Sequence, residues 1–247
     1  MGMTPEEKFI FDLQGYIVIK NVLSQEELAV LNGIFDQKVP ENVPARFNSR
    51  ISNWGKPYQD LMDHPKIVPY LLDLMGPYFR LDHDYCIFLK KGAGKLTLHG
   101  GEGHEGDHWF KYRDGVMKNG LTVVSYALAD NPEEAGGFCC IPGTHKSNFI
   151  ESIPEDVVQQ QRTPSYVVQP ALSAGDALIF TEALVHGTFA WNAEHERRSL
   201  LYKFSPGHSS WRQEYYRVED YEGLTDQQKR LLKPPSVGNR ARVVQAP

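Results

Sequence analysis

The sequence predicts an α+β fold, mainly β, with helices first and a closed or sandwiched antiparallel sheet after them. Three observations carry this expectation. Capped helical segments dominate the first 76 residues, many short strands separated by Gly, Pro and Asn turns follow, and no internal repeat divides the 247 residues. At 41% hydrophobic a chain of this length can bury one large core, so a single domain over 1-247 is expected. It divides into a helical part at 1-76, a sheet core at 77-205 and an extension at 206-247.

Thr4-Pro5-Glu6-Glu7 is a helix start, with Thr as cap, Pro at the first helical position and Glu reaching back. Gly15 stops that helix, and Tyr16-Ile17-Val18-Ile19 reads as a strand. Ser24-Gln25-Glu26-Glu27 is a second capping box, ahead of Leu28, Leu31, Ile34 and Phe35 at helical spacing. Residues 38-58 read as a long loop in which Arg46, Asn48, Arg50 and Trp54 could line a mouth. Pro65 opens a helix that carries Ile67, Val68, Leu71, Leu72 and Met75 inward and ends at Gly76. Strands are expected at 78-89, 95-99, 121-129, 137-141, 166-169, 177-180 and 199-204. A short helix at 225-232 precedes Pro234-Pro235, and the polar tail is expected to wrap the outside.

A formal charge of -5 with scattered basic residues argues against nucleic acid as a partner. No segment has the length to cross a bilayer, the amino terminus lacks a basic region followed by an apolar run, and Glu6 stands where a myristoylation motif wants Ser or Thr. Membrane association is therefore not expected. Cys86, Cys139 and Cys140 are an odd set without metal-like spacing, which fits a reducing cytoplasm.

The chemistry gathers around Leu96-Thr97-Leu98-His99-Gly100-Gly101-Glu102-Gly103-His104-Glu105-Gly106-Asp107-His108, a short alternating strand running into a loop of glycine, histidine and carboxylates. Thr97 and His99 share a strand face. A second segment, Gly175-Asp176-Ala177-Leu178-Ile179-Phe180, leads to His186-Gly187-Thr188 and then to Arg197-Arg198-Ser199. Two histidines on separate strands, joined by one carboxylate, would hold iron and leave positions open for a co-substrate and oxygen. Other marked residues have plainer readings. His145 is a hydrogen-bonded turn residue, Cys139 and Cys140 are small buried hydrophobes, and Asp176 sets a turn. Trp109, Phe110, Tyr112 and Trp191 either frame a pocket or close the barrel ends.

These residues resemble the phytanoyl-CoA dioxygenase family of iron(II)- and 2-oxoglutarate-dependent oxygenases. The likeness runs through Asp12-Leu13-Gln14-Gly15-Tyr16-Ile17-Val18 with Val22-Leu23-Ser24, then Gly136-Gly137-Phe138-Cys139-Cys140-Ile141-Pro142-Gly143-Thr144-His145, then Ala174-Gly175-Asp176-Ala177-Leu178-Ile179-Phe180 before His186-Gly187-Thr188. It implies a double-stranded β-helix, a jelly-roll or cupin-like barrel with N-terminal helices packed outside. It also implies iron(II), 2-oxoglutarate and O2 as cofactor and co-substrates, and a small-molecule substrate that is oxidised, most simply hydroxylated, at a C-H bond. His99 and His186 become iron ligands, and Arg197 becomes the fork that grips the distal carboxylate of 2-oxoglutarate. Thr188 and Ser199 are expected at the same carboxylate, while Arg198 should face the other way.

The departure is His99-Gly100-Gly101, where the family has His-X-Asp. Three readings follow. Gly101 leaves a position for chloride, as in the related halogenases. Alternatively a neighbour fills the gap, with Asp107 the first choice and Glu102, Glu105 or a three-histidine site through His104 the others. In the third reading the metal is lost and the barrel is a ligand-binding protein. A metal-assisted hydrolase or isomerase of the cupin type, needing neither oxygen nor Arg197, is a further rival.

Overall fold

The computed structural model describes residues 2-40, 43-101 and 106-245, with Arg46 described by its backbone alone. The helix punctuation acts as it reads. Helix α1 (Pro5–Gln14) starts from a Thr4 capping box and ends at Gly15 with φ 81°. Strand β1 (Tyr16–Ile19) follows, and a Ser24 capping box opens α2 (Gln25–Lys38). Each box satisfies a donor at both ends of the first turn, so the start of each helix is fixed locally.

The expected long loop contains β2 (Ala45–Ser49) and a single turn, α3 (Lys56–Gln59). Helix α4 (Val68–Met75) buries Val68, Leu71 and Leu74 and stops at Gly76. The strands then run β3 (Phe79–Leu89), β4 (Leu96–His99), β5 (Phe110–Arg113), β6 (Val116–Asn119), β7 (Thr122–Ala127) and β8 (Gly137–Cys140). After the turn α5 (Glu155–Val158) come β9 (Ala177–Thr181), β10 (His186–Phe189) and β11 (Arg197–Pro206), and α6 (Asp226–Leu231) follows with a capping box on Thr225. No strand forms at 166-169, where Val168 makes only an isolated bridge to Cys140.

Two antiparallel sheets carry the barrel, one of six strands in the order β1-β9-β7-β11-β3-β2 and one of three in the order β4-β10-β8. Residues 1-76 thus supply two strands, the expected β1 against β9 and, from the expected loop, β2 against β3. This is a double-stranded β-helix, with the sheets as its two walls. The largest apolar cluster lies where α1, α2 and α4 cover the outer face of the six-stranded sheet, through Phe11, Leu31, Phe35, Leu71 and Tyr202. A second cluster, built on Leu89, Val123, Leu178, Phe180 and Leu201, fills the interior. The tail is more than a wrapping, because Leu231, Leu232 and Val243 join the outer cluster. Among the described residues no helix is long and apolar enough to cross a membrane.

Candidate metal and co-substrate site

Antiparallel pairing of β4 with β10 sets His99 directly opposite His186, and their rings stand 4.4 Å apart between centroids. Each ring is oriented by a backbone carbonyl two residues earlier. His99 Nδ1-H donates to Thr97 O at 2.9 Å and His186 Nδ1-H to Leu184 O at 2.8 Å. In the neutral ring this leaves Nε2 with its lone pair, the form a metal requires. Burial, with His99 nearby, drives the His186 pKa down to about 4 against the pull of Glu182, so the ring is neutral near pH 7.

The pair opens on a cavity of about 330 Å³ bordered by both sheets. Tyr85, Phe138, Phe180 and Leu201 give it apolar walls, and Thr188, Arg197 and Lys203 give it polar ones. Larger grooves lie elsewhere, such as that of about 630 Å³ beside Phe9 and Tyr112, but the two histidines are not on them. Arg197 is 5% exposed, and its Nε and Nη1 have no hydrogen-bond partner. Burial pulls its pKa down to about 10, which still leaves it charged. Room for the guanidinium comes from Gly137 on β8, where a Cβ would sit 3.1 Å from Arg197 Nε. A buried cation with unsatisfied donors is costly until an anion arrives, and its planar fork matches a carboxylate. Thr188 borders the same cavity. Ser199 shares the strand face of Arg197 and is buried, without bordering the cavity. Arg198 faces away and pairs with Asp36 and Glu196.

The structure does not bring Asp107 to the histidines, which corrects the expectation that it replaces the missing carboxylate. Asp107 Oδ2 accepts from Ser205 Oγ at 2.8 Å and Oδ1 from Ser209 Oγ at 2.9 Å, so both oxygens are engaged elsewhere. Glu102, His104 and Glu105 lie outside the described residues. Gly101 has φ 107°, and a Cβ there would meet Ile150 Cδ1 at 2.8 Å and Val185 Cγ2 at 3.5 Å. A side chain at 101 would thus be strained and aimed at a small apolar cluster.

Two residues left without a role by the sequence, Glu182 and His108, stand at the site. Glu182, between β9 and β10, is 3% exposed, and its Oε2 lies 3.7 Å from both His186 Nε2 and His108 Nε2. Its Oε1 accepts from Lys203 Nζ at 2.5 Å. Burial would raise the Glu182 pKa, but Lys203 and His186 offset it and hold the carboxyl at about 2. Among the described residues no three His, Cys, Asp or Glu side chains are already closed around one point. The donor types nevertheless suit a divalent ion, since two facing imidazoles and a carboxylate 3.7 Å from one of them are the ligands such an ion takes. None of the four marked aromatics borders this cavity. Trp191 is buried with its Nε1 on His195 O, Phe110 packs edge-on against His145, and Tyr112 is exposed. His145 donates from Nε2 to Asp12 O at 3.0 Å, a structural role.

Comparison with known proteins agrees with this architecture. HygX from Streptomyces hygroscopicus, solved with nickel and 2-oxoglutarate bound, superposes with a TM-score of 0.77 at 24% identity, covering 85% of this chain and 90% of that one. The 2-oxoglutarate-dependent epimerase SnoN from nogalamycin biosynthesis gives a TM-score of 0.62 at 18% identity over 94% of each chain. The carbocyclase SnoK from the same biosynthesis gives 0.63 at 18%, over 94% of this chain and 92% of that one. A search of curated proteins returns no match. The sequence model of phytanoyl-CoA dioxygenase (PhyH) matches residues 11–199, most of the chain and every strand from β1 to the start of β11. This chain belongs to the phytanoyl-CoA dioxygenase family.

Proposed function

We propose that the protein is an iron(II)- and 2-oxoglutarate-dependent oxygenase that hydroxylates a C-H bond of a small molecule, with succinate and CO2 as co-products. The observation that carries this reading is Arg197, a buried guanidinium with unpartnered Nε and Nη1 on the cavity that the two histidines share. HygX has been solved with iron, and with nickel, 2-oxoglutarate and hygromycin B, which supports the same ligand classes here. Iron(II) at His99 and His186 would supply oxygen activation, with 2-oxoglutarate giving two electrons as it is decarboxylated.

The chain's own part is orientation and exclusion. Arg197 would fix the distal carboxylate of the co-substrate by two parallel charge-assisted hydrogen bonds, with Thr188 as a second donor. Phe138, Phe180 and Leu201 keep the cavity dry, which strengthens those contacts and shields reactive species from water. Lys203, further along β11 from Arg197, and Tyr85 on the neighbouring β3 bring polar groups to the same cavity. Halogenation draws no support from Gly101, because the missing side chain would have pointed at Ile150.

Anaerobic addition of iron(II) and then 2-oxoglutarate tests the reading through the visible charge-transfer band of the chelate. The band should form, and admission of oxygen with substrate should give succinate. Folded protein that gives no band would refute the oxygenase and favour a non-catalytic barrel. Turnover that needs no oxygen would favour a hydrolase or isomerase.

A further inference from the structure

We propose that Glu182 is the carboxylate ligand of this metal site, standing in for the side chain that position 101 lacks. The inference rests on the iron reading above and names a residue outside the His-X-Asp pattern. Among the described residues no other carboxylate comes within ion-pairing distance of either site histidine. Glu182 Oε2 lies 3.7 Å from His186 Nε2. Two donors that each bind one ion at about 2.1 Å are at most about 4.2 Å apart, so the spacing is already inside the range a shared ion allows.

The other oxygen explains how the carboxylate is held. Lys203 Nζ takes Oε1 and leaves Oε2 for a monodentate bond, the arrangement in which a ligating carboxylate is itself hydrogen-bonded by an outer partner. The backbone is pinned as well. Glu182 N donates to Leu121 O at 2.9 Å, Leu184 N to Thr181 O at 2.9 Å, and Val185 N to Thr144 Oγ1 at 2.8 Å. Glu182 and His186 therefore sit at the two ends of one short, fixed connection between β9 and β10. Glutamate has one more methylene than aspartate, so it can reach the ion from this loop while position 101 faces Ile150. Asp107, the rival within the described residues, has both oxygens on serine hydroxyls.

The test is equilibrium binding of cobalt(II) and nickel(II), without oxygen, to the full chain and to Glu182→Gln, with circular dichroism of the metal-free proteins as the control on folding. The variant should bind at least about 100-fold more weakly, lose the metal-induced rise in Tm, and show an altered cobalt(II) visible spectrum. Should the lone buried Lys203 prevent folding, the double variant Glu182→Gln with Lys203→Met removes the pair together and should show the same loss. Wild-type affinity and spectrum in either folded variant would overturn the assignment. So would their loss in Asp107→Asn, or in the combined Glu102→Gln, His104→Ala and Glu105→Gln variant, while Glu182→Gln binds normally. A wild-type chain that binds neither metal would instead refute the oxygenase reading itself.

Discussion

Replacing Arg197 by methionine should make the metal-free, ligand-free protein more stable while abolishing its response to 2-oxoglutarate. Burial holds the guanidinium pKa at about 10, which corresponds to roughly 3 kcal/mol of desolvation left uncompensated, at 1.36 kcal/mol per tenfold change. Near pH 7 the group is charged in both folded and unfolded states. The penalty is then a constant offset against folding and has no pH window in the accessible range. Methionine keeps much of the volume and none of the charge. After an allowance of about half for imperfect packing, the gain is about 1–2 kcal/mol, or roughly 2–8 °C in Tm for a chain of this size. Wild-type protein with nickel(II) and 2-oxoglutarate at 100 times its Kd should gain about 2.7 kcal/mol, and the variant nothing. Differential scanning calorimetry with and without the ligand measures both. A variant that melts below the wild type without ligand, or that keeps the 2-oxoglutarate shift, would refute the view of Arg197 as a binding group held at a cost to folding.

Three other substitutions probe neighbouring steps. Gly101→Asp, which restores the family motif, should lower stability by about 1–3 kcal/mol through its positive φ and the contact with Ile150, without tightening metal binding. Tighter nickel(II) binding in a titration would show that position 101 does face the ion. Gly137→Ala places a methyl 3.1 Å from Arg197 Nε and should weaken 2-oxoglutarate roughly tenfold or more with metal affinity unchanged, as read by calorimetric titration. His145 is held at about 4 by burial and by Lys146, against the usual 6.5. Its stabilising contribution is present above pH 6.5 and is lost as pH falls toward 4, by at most roughly 3 kcal/mol. His145→Gln should flatten that stretch of the urea-denaturation profile, and an unchanged slope would count against the buried, neutral imidazole.

What could be read from the sequence is what is written in adjacent residues. The capping boxes at Thr4, Ser24 and Thr225 are complete within four residues, and all three open helices. His99, His186 and Arg197 belong to short blocks whose strands carry them to one cavity. Strand β2 escaped because it lies in a stretch broken by Pro40, Pro44, Gly55 and Pro57 and its apolar-polar alternation lasts only four residues, and β3 supplies the pairing that makes it a strand. The β5–β6 hairpin did leave a signal, the Asp114-Gly115 turn with φ of 54° and 78°, between strands too short to show a period. The strand expected at 166-169 had apolar residues but only one bridge partner. Glu182 had no such local signature, and His108 stood at the end of the glycine- and histidine-rich stretch with nothing nearby to give it a role. Their meeting depends on how the loop after β9 and the approach to β5 close over β10, and that is a property of the whole barrel.

The carbonyls of Thr97 and Leu184 that receive the two Nδ1 protons have a consequence for what this site can tolerate. A second-sphere carboxylate can be mutated away, but a main-chain oxygen survives every substitution of its own residue. The tautomers of His99 and His186 are therefore written into the backbone of β4 and of the turn before β10. The bond outlasts a change of side chain at 97, whereas Leu184 is also fixed by its place in the interior cluster, and an insertion between a histidine and the carbonyl two residues before it would disarm that ring alone.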